Sequence, residues 1–102
     1  MKIETDSHEW VRKDGSIATI GITKKASTEL GEIVYVELPK VGQNVIKGDE
    51  IAVLESTKAA IDSYAPLSGR VVEVNFLLVD KPELVNSDPE GAGWMYRISL
   101  LD

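Results

Sequence analysis

A lysine lies at the tip of a predicted hairpin, between two runs of equal length. Residues 51–56 and 59–64 form the two six-residue runs, and Thr57-Lys58 separates them. A two-residue hairpin loop normally holds Gly, Asn or Asp because the backbone dihedral φ is positive there, and a β-branched Thr suits that conformation poorly. Since local rules tend to fail at functional sites, this tip either uses another turn type or is kept for a reason besides folding.

Two interpretations of Lys58 follow from its position. Most hairpin-tip lysines are solvated charges at the edge of a sheet. The alternative is a lysine presented to a modifying enzyme, with Glu55 three residues before it and the small Ala59 and Ala60 after it. The spacing alone favours the solvated charge.

The composition excludes several other kinds of chemistry. The chain has 102 residues and no cysteine, and His8 is its single histidine. Disulfides, thiolate metal sites, cysteine nucleophiles and multi-histidine metal sites are therefore excluded. The net charge of −6 makes nucleic acid a poor partner, because an acidic domain repels phosphate backbones. A chain of this size builds one core without a deep pocket, which favours a carrier, an adaptor or a small binding module over an enzyme.

Short β-type runs separated by turns surround the hairpin and have to position it. Thr23 is a suitable N-cap and Gly31 a suitable stop for a helix of about two turns over residues 23–30. Strands are predicted at residues 8–12, 17–22, 33–38, 41–46, 51–56, 59–64, 70–74 and 94–100, and a helical turn at 83–85. A turn every eight to twelve residues is typical of an all-β sandwich or barrel. We expect residues 1–102 to form a single domain.

The sequence offers no segment suited to a membrane. The longest apolar runs, residues 51–54 and 76–79, hold four residues each and are too short to span a bilayer. The first ten residues are polar and acidic, unlike a secretory signal. We therefore expect no membrane partner, and a cytoplasmic protein or the mature form of a mitochondrial one, and we expect a monomer.

A resemblance to a known family runs collinearly along residues 7–100. Residues 54–69 resemble the lipoyl-attachment hairpin of the glycine cleavage system H protein. The other matching segments are His8-Glu9-Trp10-Val11, residues 18–23, 36–39, 41–42 and 82–86, Asp88-Pro89 and Gly93-Trp94. Biotin carriers usually present Ala-Met-Lys-Met, and lipoyl domains of 2-oxo acid dehydrogenases usually present Thr-Asp-Lys-Ala. This chain has Ser56-Thr57-Lys58-Ala59.

The resemblance implies a fold and an activity. The implied fold is all-β, a flattened lipoyl-type barrel-sandwich of two antiparallel sheets with short peripheral helices. The implied activity is that of a carrier component of a multienzyme system, with lipoate joined to Lys58 in amide linkage. The arm would shuttle the aminomethyl group of glycine from a pyridoxal-phosphate glycine decarboxylase to a tetrahydrofolate-dependent aminomethyltransferase. An FAD-containing dihydrolipoyl dehydrogenase would reoxidise it, and a lipoate ligase or a lipoyl/octanoyl transferase would attach it.

The resemblance also implies roles for residues around the lysine. Ser7, Glu9 and Asp62 occupy positions close to the loaded amine, and Glu55 and Ala59 flank the lysine where a modifying enzyme would recognise it. Each residue also has an ordinary structural explanation. Ser7 and Glu9 suit a polar strand start, and Asp62 suits the outward face of a strand.

Two other functions stay open at this point. The first is a stand-alone lipoyl relay or redox carrier for other lipoate-dependent enzymes. Its support is that members of the resembled family usually continue into one or two further helices, whereas this chain ends at Asp102. The second is an interaction domain that is never modified. Two further positions depart from the pattern of the resembled family. Thr57 stands where the family usually has Val, and Lys24-Lys25 stands where it often has Asp-His.

Overall fold

The computed structural model describes residues 2–5 and 8–100, which form nine strands and three short helices. The strands are β1 (Lys2–Glu4), β2 (Glu9–Asp14), β3 (Ile17–Ile22), β4 (Ile33–Glu37), β5 (Asn44–Val45), β6 (Glu50–Ser56), β7 (Ala60–Tyr64), β8 (Gly69–Val74) and β9 (Tyr96–Leu100). The helices are α1 (Lys24–Leu30), α2 (Leu77–Asp80) and α3 (Leu84–Ser87).

The strands form two antiparallel sheets. The larger sheet has the strand order β1-β2-β3-β9-β8-β5, and the smaller sheet has the order β4-β6-β7. Every strand pair in the described residues is antiparallel. The predicted all-β architecture of two antiparallel sheets with short helices is confirmed, and within the described chain the sheets form a sandwich that does not close into a barrel.

Both sheets contribute to one core. Val11, Ile20 and Ile98 come from the larger sheet, and Ile33 and Leu54 from the smaller one; all belong to a single buried cluster. Strands alternate their side chains between two faces, so each sheet turns one apolar face inward. The sandwich thereby places the β6–β7 hairpin on a sheet whose inner face is packed against the rest of the molecule.

Helix α1 begins and ends where the sequence predicts. The Thr23 hydroxyl accepts a hydrogen bond from the backbone N–H of Ala26, and Gly31 follows the last helical residue with φ +82°. That conformation is in the left-handed region, where glycine carries no Cβ penalty. The buried Ser27 hydroxyl donates to the Val85 carbonyl at 2.8 Å, which ties α1 to α3.

The Trp10 side chain packs near the beginning of β2 and fixes the position of that strand. Its ring covers Gly21, where an added Cβ would stand 2.7 Å from the indole nitrogen. The same nitrogen donates to the Pro89 carbonyl at 3.0 Å. A fully buried indole with its N–H satisfied holds β2, β3 and the 89–93 turn together.

Four elements differ from the prediction. The last strand begins at Tyr96 instead of residue 94, because residues 91–93 form a turn and Trp94 packs half-buried under the Arg97 guanidinium at 4.0 Å. The strand predicted at 41–46 is confined to Asn44–Val45. Neither β1 nor α2 was predicted, since three- and four-residue elements are too short to show a period.

No helix within residues 2–5 and 8–100 combines the length and the apolar character that crossing a bilayer requires.

We expect the two sheets to unfold in one transition, because they share one core. Leu54 is fully buried in the smaller sheet, whereas both tryptophans, Trp10 and Trp94, lie in or beside the larger one. Leu54→Ala should lower the free energy of unfolding by about 2–5 kcal/mol. The tryptophan fluorescence midpoint in urea should fall together with the far-ultraviolet circular dichroism midpoint. A fluorescence midpoint left at the parental value would show that the sheets unfold independently.

Candidate functional site

The tip of the β6–β7 hairpin is built around the Ser56 side chain. Glu55 pairs with Ala60, and the Ser56 backbone N–H donates to the Ala59 carbonyl at 2.8 Å. The Ser56 hydroxyl accepts from the N–H groups of Lys58 and Ala59, each at 3.1 Å. The side chain thus takes over the role that a turn-forming Asn or Asp usually has. Neither Thr57 nor Lys58 has a positive φ, so the tip does not use the turn that requires Gly, Asn or Asp, and both residues are tolerated there.

The loop between α1 and β4 supports this tip. The Thr57 N–H donates to the Glu32 carbonyl at 3.1 Å. The Lys58 side chain runs beside Gly31, where an added Cβ would lie 3.6 Å from the lysine Cε and 3.8 Å from Nζ. The lysine is exposed, but the backbone from which it projects is held on the neighbouring loop.

A cleft of about 290 Å³ lies between α1, the beginning of β2 and the edge strand β7. Its apolar part is formed by Ile22, Ala26, Leu30 and Ile61, and its polar part by His8, Glu9, Glu29, Asp62 and Ser63. Leu30 immediately precedes Gly31, against which Lys58 lies. The cleft therefore begins one residue from Gly31, beside which the end of the Lys58 side chain lies.

Glu9 is buried in the wall of this cleft and links the two sheets. It is 2% exposed and lies at the start of β2. Its carboxylate accepts from the Thr5 hydroxyl at 2.8 Å, from the Ser63 hydroxyl at 3.4 Å and from the Tyr64 N–H at 3.3 Å. Because Ser63 and Tyr64 belong to β7, this carboxylate joins the larger sheet to the strand that returns from the lysine.

Tyr96 lies beneath this carboxylate. Complete burial and the nearby Glu9 charge both raise the pKa of its phenol above the usual range. The phenol oxygen has no hydrogen-bond partner among the described residues. The phenol of this core residue is therefore neutral.

Asp62 occupies a different environment in the same cleft. It is exposed, and among the described residues its carboxylate takes part in no hydrogen bond or ion pair. Glu29, on α1, adds a second exposed carboxylate to the lining. The cleft thus has an apolar floor and three carboxylates, an arrangement suited to an aliphatic chain that ends in a positive charge.

His8 shapes the entrance of the chain into β2. Among the described residues, His8 is the only residue other than glycine with a positive φ, at 66°. Histidine is one of the residues enriched in this conformation, although it still costs energy relative to glycine. The turn directs the Glu9 side chain, next in sequence, into the molecule.

A larger cavity of about 540 Å³ lies on the other side of Glu9. Its lining includes Ile3, Val11, Lys13, Lys47 and Leu67, and no residue of the 56–59 tip. The smaller cleft likewise holds no residue of the tip, but it contains Leu30, next to the Gly31 that lies against Lys58, and Ile61, and the larger cavity contains neither.

The structure brings most of the sequence-predicted site residues to one end of the molecule. Glu55, Lys58 and Ala59 lie at the hairpin tip, and Glu9 and Asp62 line one cleft. Ser7 lies outside the described residues. Sequence reasoning missed the turn function of Ser56, for which a serine just before a turn was an available signal. It also missed Glu29, which no motif marks.

The fold and the site define a small β-sandwich domain of the carrier type. Residues 2–102 match the family model described as "Glycine cleavage H-protein". The chain belongs to the glycine cleavage H-protein family, whose members are the lipoyl carriers of the glycine cleavage system.

Individual relatives extend over most of the chain. The glycine cleavage system H protein of Thermotoga maritima is 53% identical over 102 residues, which are 100% of this chain and 82% of that protein. The H protein of Psychrobacter is 59% identical over 93 residues, 90% of this chain and 74% of that protein. The crystal structure of the H protein from Mycobacterium marinum superposes with a TM-score of 0.91 and 40% identity, covering 97% of this chain and 83% of that one.

Ser56→Ala should loosen the tip without unfolding the sandwich. The change removes the acceptor for the Lys58 and Ala59 amides, and a hydrogen bond of this kind contributes about 0.5–1.5 kcal/mol. Amide hydrogen exchange measured by nuclear magnetic resonance should therefore accelerate about twofold to tenfold at residues 58 and 59. Ser68→Ala is the matched control, since its hydroxyl accepts from the Lys47 N–H in another turn. Equal acceleration at the tip in both variants would contradict this role of Ser56.

Proposed function

We propose that Lys58 is the residue that carries lipoate in amide linkage. The observation that supports this most is its position at a tip held by Ser56 and the Glu32 carbonyl, with its side chain against Gly31, which follows the cleft residue Leu30. A fixed root and a mobile arm are what a tethered carrier needs. A group on such a tether reaches a docked active site at an effective concentration of about millimolar.

The residues of the cleft fit a lipoyl arm with an amine at its end. Ile22, Ala26, Leu30 and Ile61 offer apolar surface to the hydrocarbon part of the arm. When bound, the lipoyl group supplies the sulfur chemistry that carries the aminomethyl group of glycine. The carboxylates at the polar side accept charge-assisted hydrogen bonds from an ammonium group.

Glu9 and Asp62 have different parts in this proposal. The oxygens of Glu9 are already engaged by Thr5, Ser63 and Tyr64, so Glu9 supplies a fixed negative charge in the cleft wall. Asp62 is exposed and has lone pairs available to accept hydrogen bonds directly from the amine. Ser7 remains a candidate contact from the family resemblance alone.

The proposed partners are the enzymes that load, unload and reoxidise the arm. They are a pyridoxal-phosphate glycine decarboxylase, a tetrahydrofolate-dependent aminomethyltransferase and an FAD-containing dihydrolipoyl dehydrogenase. A lipoate ligase or a lipoyl/octanoyl transferase would recognise the exposed Glu55 and Ala59 beside the lysine. In this proposal residues 1–102 act as one monomeric, cytoplasmic carrier domain that catalyses no reaction by itself.

Lys58→Ala should fold as the parent does and gain no lipoyl group. Incubation with a lipoate ligase, lipoate and ATP should add one lipoyl mass to the parent and to Lys47→Ala, and none to Lys58→Ala. Intact mass with peptide mapping provides the measurement. Lipoyl mass on Lys47 or Lys40 of the parent would contradict the assignment of Lys58.

Asp62→Asn should speed the loss of the amine from the loaded protein. The variant retains the size of the side chain but removes the charge, and a hydrogen bond to a charged group contributes about 1.5–3 kcal/mol when it is shielded from water. Because Asp62 is exposed, we expect the lower end, about a tenfold faster release of formaldehyde and ammonia.

The control for this measurement is Glu37→Gln, which removes an exposed carboxylate outside the cleft. Glu9→Gln is a second test of the cleft carboxylates. We expect this variant to be lipoylated as the parent is and to release the amine faster. If neither Asp62→Asn nor Glu9→Gln changes the release rate, neither carboxylate stabilises the amine.

A further inference from the structure

Asn86 holds the short connection between α1 and β4 at both of its ends. Its side-chain Nδ2 donates to the Gly31 carbonyl at 2.7 Å, and its Oδ1 accepts from the Ile33 N–H at 2.8 Å. The two backbone groups flank Glu32 in sequence. One amide side chain therefore forms hydrogen bonds with the carbonyl of the residue before Glu32 and with the N–H of the residue after it.

The helix that carries Asn86 is itself firmly anchored. Val85 is fully buried in the core, and its carbonyl accepts the hydrogen bond from the buried Ser27 of α1. The Asn86 N–H donates to the Glu83 carbonyl at 3.0 Å, which closes the helical turn. Asn86 thus holds the connection between α1 and β4 in a fixed position relative to the core.

The residue between the two bonded groups supports the hairpin tip. The Glu32 carbonyl accepts from the Thr57 N–H, and Gly31 lies against the Lys58 side chain. Gly31 has φ +82°, a conformation that leaves the connection without a Cβ at the point where the lysine passes. A continuous series of contacts therefore runs from Val85 in the core through Asn86 and residues 31–33 to the tip.

We propose that Asn86 is a positioning residue that fixes the hairpin tip, and with it the presentation of Lys58 to the enzyme that modifies it. The part concerning modification rests on the proposed function of Lys58. The part concerning the tip does not, because it is a property of the unmodified protein.

The test compares Asn86→Asp with Asn75→Asp. The Asn86 variant retains the acceptor for Ile33 but places an oxygen against the Gly31 carbonyl. Asn75 is a buried asparagine whose Nδ2 donates to the carbonyls of Ala92 and Trp94 at 2.8 and 2.7 Å, away from the hairpin. The same substitution there removes comparable hydrogen bonds and should destabilise the fold without affecting the tip. Asn86→Ala removes both bonds without adding a charge.

The first measurement is amide hydrogen exchange at Thr57 in the unmodified proteins. We expect it to rise about fivefold to tenfold in both Asn86 variants and to stay at the parental value in Asn75→Asp, since tip amides exchange through local opening. The second measurement is lipoylation kinetics. We expect the KM for the carrier to rise about twofold in both Asn86 variants, with kcat unchanged, because a smaller fraction of the protein has the tip in place.

Unchanged exchange at Thr57 in the Asn86 variants, or an equal rise in Asn75→Asp, would overturn the proposal. An unchanged KM alongside faster exchange would overturn its second part, since the tip position would then not serve modification. If the parent protein gains no lipoyl group at Lys58, the proposed function fails, and the exchange result still decides whether Asn86 fixes the tip.

Discussion

A buried carboxylate joins the two sheets at the end of the molecule that holds the cleft. Removing the Glu9 charge from water is unfavourable unless hydrogen-bond donors replace the lost hydration. Thr5, Ser63 and Tyr64 provide those donors, and two of them lie on the strand that leaves the lysine-bearing tip. The need to satisfy this carboxylate thus sets the position of β7 against β2, and the gap left between them and α1 is the cleft.

The hairpin tip is supported from its other side by the connection between α1 and β4. Ser56 closes the turn from within, and the Glu32 carbonyl supports Thr57 from outside. The root of Lys58 is therefore fixed, while its side chain remains exposed. In the glycine cleavage H-protein family, to which the chain belongs, a carrier has to visit more than one partner, and a rigid root with a mobile arm meets that requirement.

Local patterns in the sequence were sufficient for much of the fold. The Thr23 cap and the Gly31 stop of α1 depend on neighbours within a few residues, and both appear as predicted. Most strands also lie where the turn residues between them predict. The site was only partly accessible in this way. The contacts of Glu9 with Ser63 and of Asn86 with Gly31 join residues more than fifty positions apart, so no local pattern encodes them. The family resemblance indicated Glu9 and Asp62. Nothing in the sequence marked Glu29 or the hydrogen bonds from Asn86 to Gly31 and Ile33.

In the proposed function, an arm on Lys58 folds into the cleft between α1, β2 and β7. Nuclear Overhauser spectroscopy of the lipoylated, amine-loaded protein, with labelled Ala and Ile methyl groups, tests this most directly. We expect cross-peaks from the arm's methylene protons to the methyls of Ala26 and Ile61, which line the cleft. Cross-peaks to Ile3 in the larger cavity instead, or no cross-peaks to Ala26 and Ile61, would contradict the claim.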